Sequence, residues 1–106
     1  LTADPKAYSA SDRETLASLT TAVGFDTTKI PPTEAAKYVE YARIQAIDAA
    51  LRFSVGEGVT PTSSLGLRLT TNSSVEIWGE KDMKNFKCID DGGTAKLEVV
   101  YMRLTV

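Results

Sequence analysis

The side chains that most often do chemistry near neutral pH are scarce in this sequence, and those present sit among neighbours that suggest other uses. Histidine is absent and Cys88 is the single cysteine. Without imidazole the usual general base is missing, and so are Ser-His-Asp triads and the common zinc sites. Cys88 lies beside Phe86 and Ile89 with no histidine to activate it, and reads as a small buried core residue rather than a nucleophile. Asp90 and Asp91 could form a carboxylate pair or bind calcium, but Gly92 and Gly93 follow at once, so the four read as a turn. Gly56-Glu57-Gly58 lacks the downstream glycine and lysine of a phosphate-cradling loop and reads as hairpin chemistry. Asn72-Ser73-Ser74 matches a glycosylation acceptor, yet no charged-then-apolar secretory segment accompanies it. No catalytic residue, metal ligand or cofactor site is assigned, and an enzyme would have to work through carboxylates alone.

Aromatic side chains are the remaining candidates. Trp78, Tyr38, Tyr41 and Tyr101 can fill a core, anchor a partner or stack on a sugar. Trp78 is the best interface candidate, because strand alternation places it on the face opposite Val75 and Ile77.

The elements that must hold these residues follow from composition and periodicity. A chain of 106 residues fits one domain with a modest core. Its net charge of −2 is evenly spread, and the basic residues that folding could gather, Lys81, Lys84 and Lys87, form no cluster in the sequence for phosphate neutralisation, so nucleic acid is not an expected partner. A lone cysteine forms no intrachain disulfide, which fits synthesis in the cytoplasm. No apolar run of about 18 residues is present to span a bilayer, and a soluble protein with no membrane partner is expected.

The first ten residues read as an arm, and Ser11-Asp12-Arg13-Glu14 matches a capping box that opens a short helix to about Leu19. The span 1–18 is therefore expected to be an arm or short helix, and 19–106 a β-domain. Leu19, Thr21, Val23 and Phe25 alternate as a strand, and Ile30-Pro31-Pro32 ends that segment. A helical turn is expected near Glu34 to Lys37, then a strand from Tyr41 to Ile47 paired with a Leu51–Val55 strand across a tight turn at Asp48. Further strands follow at Leu65–Leu69, Val75–Trp78, Phe86–Ile89 and Ala95–Leu104, separated by Thr60–Ser64, Thr71-Asn72-Ser73, a single turn at Asp82–Lys84 and Asp90–Gly93. The final strand is apolar on both faces, with Leu97, Val99 and Tyr101 on one and Val100, Met102 and Leu104 on the other. Either a second layer or a subunit interface explains that. The fold class expected is mainly β, a single-domain antiparallel sandwich of jelly-roll-like type with at most one or two helical turns.

From Ala42 to Arg103 the sequence resembles small virion-associated proteins of tailed bacteriophages. The similar string runs Ala50-Leu51-Arg52-Phe53, Thr60-Pro61-Thr62-Ser63-Ser64-Leu65-Gly66, Leu69, Ser74-Val75-Glu76-Ile77, Asn85-Phe86-Lys87-Cys88-Ile89 and Ala95-Lys96-Leu97-Glu98-Val99-Val100-Tyr101. The Arg-aromatic strand followed by Pro-Thr-Ser-Ser-x-Gly is its most specific part, and Gly56-Glu57-Gly58 departs from it by replacing an Asp-Gly turn. The resemblance implies a structural protein of the virion, a capsid decoration or a head-tail or collar accessory subunit. Its partners would be capsid, portal or tail proteins and copies of itself, with no catalytic residues to transfer. The alternative is a small carbohydrate-binding module using Trp78. The residues expected at a partner interface are Trp78, Val100, Met102 and Leu104.

Overall fold

Strands form here where the sequence alternates and, in one case, where only a backbone partner demands it. A computed structural model describes residues 8–30 and 39–104. Its strands are β1 (Tyr8–Leu16), β2 (Val39–Ile47), β3 (Leu51–Ser54), β4 (Leu67–Leu69), β5 (Ser74–Trp78), β6 (Lys87–Asp90) and β7 (Lys96–Leu104). One short helix, α1 (Glu80–Asn85), and a 3-10 turn at Thr27–Lys29 are the helical elements among the described residues. The protein is mainly β, with a four-stranded sheet in the order β1-β7-β2-β5 and a three-stranded sheet in the order β4-β3-β6, all pairs antiparallel.

The pairing is nested. The first strand pairs with the last, β2 pairs with β5, and β3 pairs with β4. Between β1 and β2, Val23 forms an isolated bridge with Cys88 of β6, with N–H···O distances of 2.9 and 2.8 Å. One buried cluster joins the two sheets: Ala42, Ile44, Ala46, Ile77, Leu97, Val99 and Tyr101 from the larger, and Leu51, Phe53, Leu69 and Cys88 from the smaller. Alternation decides which residues enter it, since successive strand side chains point to opposite faces.

The expected helix from Ser11 to about Leu19 is instead strand. Tyr8–Leu16 pairs along its length with β7, with a register shift between Ala10 and Asp12. The residues of the apparent capping box are used elsewhere: Ser11 Oγ donates to the Tyr101 carbonyl at 3.3 Å, and the Glu14 carboxylate accepts from the Asp26 N–H at 3.0 Å and from the Tyr101 hydroxyl. Tertiary pairing overrides a local helix signal because a short isolated helix has little stability of its own. The strand expected over Leu19–Phe25 is reduced to the bridge at Val23, and Leu19 and Phe25 are buried, with the Phe25 ring stacked on Phe86 at 4.1 Å.

β2 and β3 were expected to form a hairpin across Asp48. The chain does turn there, with Asp48 at φ 71°, but it crosses from one sheet to the other. Alternation shows which residues face inward but not which sheet receives them. The turn expectations at Gly56–Gly58, Asn72 and Asp90–Gly93 hold: Gly58, Asn72 and Gly92 all take positive φ, and the Val59 N–H reaches the Gly56 carbonyl at 3.0 Å. Gly79, at φ 90° and ψ 143°, ends β5 in a conformation that suits glycine and starts α1 where a single turn was expected. The arm over residues 1–7 and the helical turn at Glu34–Lys37 lie outside the described residues.

On the outside of the smaller sheet, Arg52 of β3 and Arg68 of β4 stand opposite one another. Asp91 bridges them, at 3.6 Å from Arg52 Nε and 2.7 Å from Arg68 Nε. The hydrogen bond from Arg68, then the charge of Arg52, hold its carboxyl below the ordinary 3.8. A depressed native pKa gives stability that is present above the unfolded value and lost as pH falls through the native one. Asp91→Asn should therefore lower stability at pH 7 and flatten the loss of stability below about pH 4, measured by urea unfolding across pH. Part of the slope should remain, because Asp12 and Asp26 are also depressed, chiefly by hydrogen bonds from Lys29 and Thr28 respectively. Leu51→Ala, at a fully buried position, should cost about 2–5 kcal/mol, whereas Leu67→Ala, at 64% exposure, should fall within about 0.5 kcal/mol.

Candidate functional site

Trp78 belongs to β5, and Val100, Met102 and Leu104 belong to β7, two strands separated in the sheet by β2. Register brings them to one face. Ala10, Met102, Tyr41 and Trp78 are cross-strand neighbours in a row over all four strands. The next row is Arg13, Val100, Arg43 and Glu76, and the one after it Thr15, Glu98, Gln45 and Ser74. Leu104 lies in register with Tyr8. These rows occupy the face turned away from Leu97, Val99 and Tyr101, so Trp78, Val100 and Met102 share a surface.

That surface has an aromatic end. The rings of Tyr41 and Trp78 stack with centroids 4.2 Å apart, and Tyr8 meets them edge-on at 5.3 and 5.8 Å. Tyr41 is only 8% exposed although it lies outside the cluster between the sheets, because these neighbouring rings cover it. Trp78 remains 45% exposed, and its Nε1 donates to Glu76 at 3.2 Å. Val100 and Met102 are half-buried. Aromatic groups concentrated on an otherwise polar face are a common mark of a contact surface.

Its middle is charged but unevenly matched. The side chains of Arg13 and Arg43 make no hydrogen bond or ion pair among the described residues. Two carboxylates stand near them with uncharged donors: Glu76 accepts from Trp78, and Glu98 accepts from Thr15 Oγ1 at 2.7 Å. Arg43, Gln45, Ser74, Glu98 and Val100 line a depression of about 270 Å³ at the centre of the face.

Other candidates from the sequence fall elsewhere. Tyr101 is fully buried in the core, where burial and the adjacent Glu14 carboxylate push its phenol pKa up. Cys88 is fully buried, and desolvation raises its thiol from 9.0 to about 12. Asp90 does turn work, accepting from the Gly92 N–H at 3.3 Å. Lys81 and Lys84 each face a carboxylate, Glu57 at 4.0 Å and Glu80 at 3.0 Å, while Lys87 lies in β6. Tyr38 lies outside the described residues. Among the described residues no group of His, Cys, Asp and Glu could hold a metal ion. A polar cavity of about 410 Å³ beside β1 is bordered by Asp12 and Lys29, which pair at 3.0 Å. A largely apolar cleft of about 310 Å³, with Phe53, Leu67, Ile77 and Trp78 in its lining and the carboxylates of Glu76 and Asp82 among its walls, opens between the edges of β4 and β5.

Sequence reasoning alone missed Tyr8, the placement of Tyr41, and the charges at Arg13, Arg43 and Glu76. Alternation within β2 carried part of the signal, since Tyr41, Arg43 and Gln45 interleave with the buried Ala42, Ile44 and Ala46. The membership of β1 in this sheet was the missing step. No protein-family model, curated protein or solved structure matches the chain. No helix among the described residues is long and apolar enough to cross a membrane.

The burial of Cys88 has a direct readout. At pH 8 the native protein should resist a thiol reagent over a period in which the urea-unfolded protein is fully labelled. Rapid native labelling would mean that β6 opens locally.

Proposed function

We propose that the protein is a structural subunit of a tailed-phage virion, a capsid decoration or head-tail accessory component that acts by packing against other proteins. The observation that carries the packing role is the outer face of the four-stranded sheet, where Tyr8, Tyr41, Trp78, Val100 and Met102 gather beside unmatched arginines. The virion setting rests on the resemblance over Ala42–Arg103. Within this reading the two sheets form a jelly-roll sandwich. Counting the Val23 bridge as a vestigial strand gives eight chain positions, and the pairing then runs first with eighth, second with seventh, third with sixth and fourth with fifth. Nested pairing of that kind fits the two interleaved Greek keys of a jelly roll, a fold frequent in viral shells and also in lectins.

The carbohydrate-binding alternative needs an open aromatic platform. Trp78 instead has one ring face stacked on Tyr41, and its indole N–H is engaged by Glu76. That arrangement favours protein packing over sugar stacking.

Purified protein should co-sediment with heads or tails of the phage whose genome carries its gene, and Trp78→Ala should reduce the bound fraction while leaving the fold intact by circular dichroism. A protein that ignores these particles but binds a glycan array through Trp78 would overturn the reading.

A further inference from the structure

The outer face of the four-stranded sheet is complementary to itself. A two-fold axis lying in the plane of contact, parallel to the strands and between β7 and β2, would exchange the first strand of the sheet with the fourth and the second with the third. Applied to the rows above, that operation sets Arg13 against Glu76 of the partner subunit. It sets Ala10, the smallest side chain in its row, against the partner's Trp78, and Met102 against the rings that cover the partner's Tyr41. In the third row Glu98 meets the partner's Gln45, and Thr15 meets the partner's Ser74. Glu98 of the partner subunit also comes diagonally beside Arg43.

We propose that this face docks on the same face of a second copy of the chain, in that register. The argument is charge and size complementarity. Arg13 and Arg43 have no acid partner among the described residues, while Glu76 and Glu98 are held by neutral donors. The dyad places each arginine beside a carboxylate and fits a bulky ring over a small residue. Arg43 and Glu98, which flank the axis, each also come beside their own copies, so the centre of the contact is a cluster of two arginines and two carboxylates. Two sheets can stack in this way with side chains interleaved across about 10 Å. The area also suffices: three strands of nine residues and one of five, about 4.8 Å apart and rising about 3.3 Å per residue, give a projected face of roughly 500 Å². Side-chain relief adds to this, and a specific interface needs at least about 500 Å² per partner.

The inference rests on the packing role proposed above and not on the virion setting, so its test is kept separate. Sedimentation velocity over a concentration series should show a monomer–dimer equilibrium that weakens with salt. Arg13→Glu and Glu76→Arg should each lower the association constant about tenfold or more by opposing like charges. The double variant R13E/E76R should recover most of the loss, which general damage to the fold would not allow. Trp78→Ala should weaken the dimer as well, with melting temperatures of all variants measured alongside. A wild-type protein that stays monomeric at high concentration would overturn the dimer, even if it binds phage particles. So would a dimer indifferent to both charge reversals, or one that the double variant does not restore. A dimer that behaves as expected but ignores phage particles would leave this inference standing and remove the virion reading.

Discussion

The structure depends on the seating of β7 between β1 and β2. No other strand among the described residues has two nine-residue neighbours, and both of its ladders join parts of the chain that are far apart in sequence. Until β7 is in place, β1 has no partner among the described strands, and the four-stranded sheet is reduced to β2 and β5. The inner side of β7 then contributes Leu97, Val99 and Tyr101, all fully buried, to the layer between the sheets. Each such apolar side chain contributes about 1.5–3 kcal/mol when removed from water, so this strand supplies a large share of the core. Pairing of this range is slow to form, because loop-closure entropy must be met before the contacts exist.

Tyr101 ties this seating to the loop that follows β1. A buried phenol needs a hydrogen-bond partner, and Glu14 provides it while also accepting the Asp26 N–H. Asp26 in turn caps the 3-10 turn through the Thr28 N–H, and Phe25 lies edge-on to the Tyr101 ring at 5.7 Å. The stretch from Phe25 to Thr28 is thus held by a chain of contacts that starts on β7. With that loop placed, Val23 closes the edge of β6 by its bridge to Cys88.

This dependence explains what could be read from the sequence. The strands from β3 to β7 were legible because apolar residues alternate there and Gly, Asn and Asp mark the turns. The two-faced character of β7 was legible for the same reason, and Val100 and Met102 do lie on the face opposite Leu97, Val99 and Tyr101. β1 was not legible, since Ser9 through Thr15 contains only one apolar side chain, Ala10, and the strand exists because β7 offers it a ladder. The destination of β3 was hidden too, because Leu51 and Phe53 look the same whether they face a neighbouring strand's sheet or the opposite one. Asp91 looked like a turn residue, and nothing local indicates that Arg52 and Arg68 would be brought to it by strand pairing.

The edges and faces differ in how far their own groups already satisfy one another. An exposed strand edge invites pairing with another chain, and proteins blunt such edges with charge, bulges, brevity or cover. All four devices are present. β1 carries Asp12, Arg13 and Glu14 with an irregularity at Ser11, β4 has three residues, β5 has five and ends at Gly79, and Val23 covers part of β6. The outside of the smaller sheet carries the Arg52–Asp91–Arg68 cluster, in which both guanidiniums already reach a carboxylate. The outside of the larger sheet differs on both counts, having exposed aromatic area and arginines without acids. Exposed aromatic area and arginines without an acid partner are thus concentrated on one face, and the proposed packing role rests on that concentration.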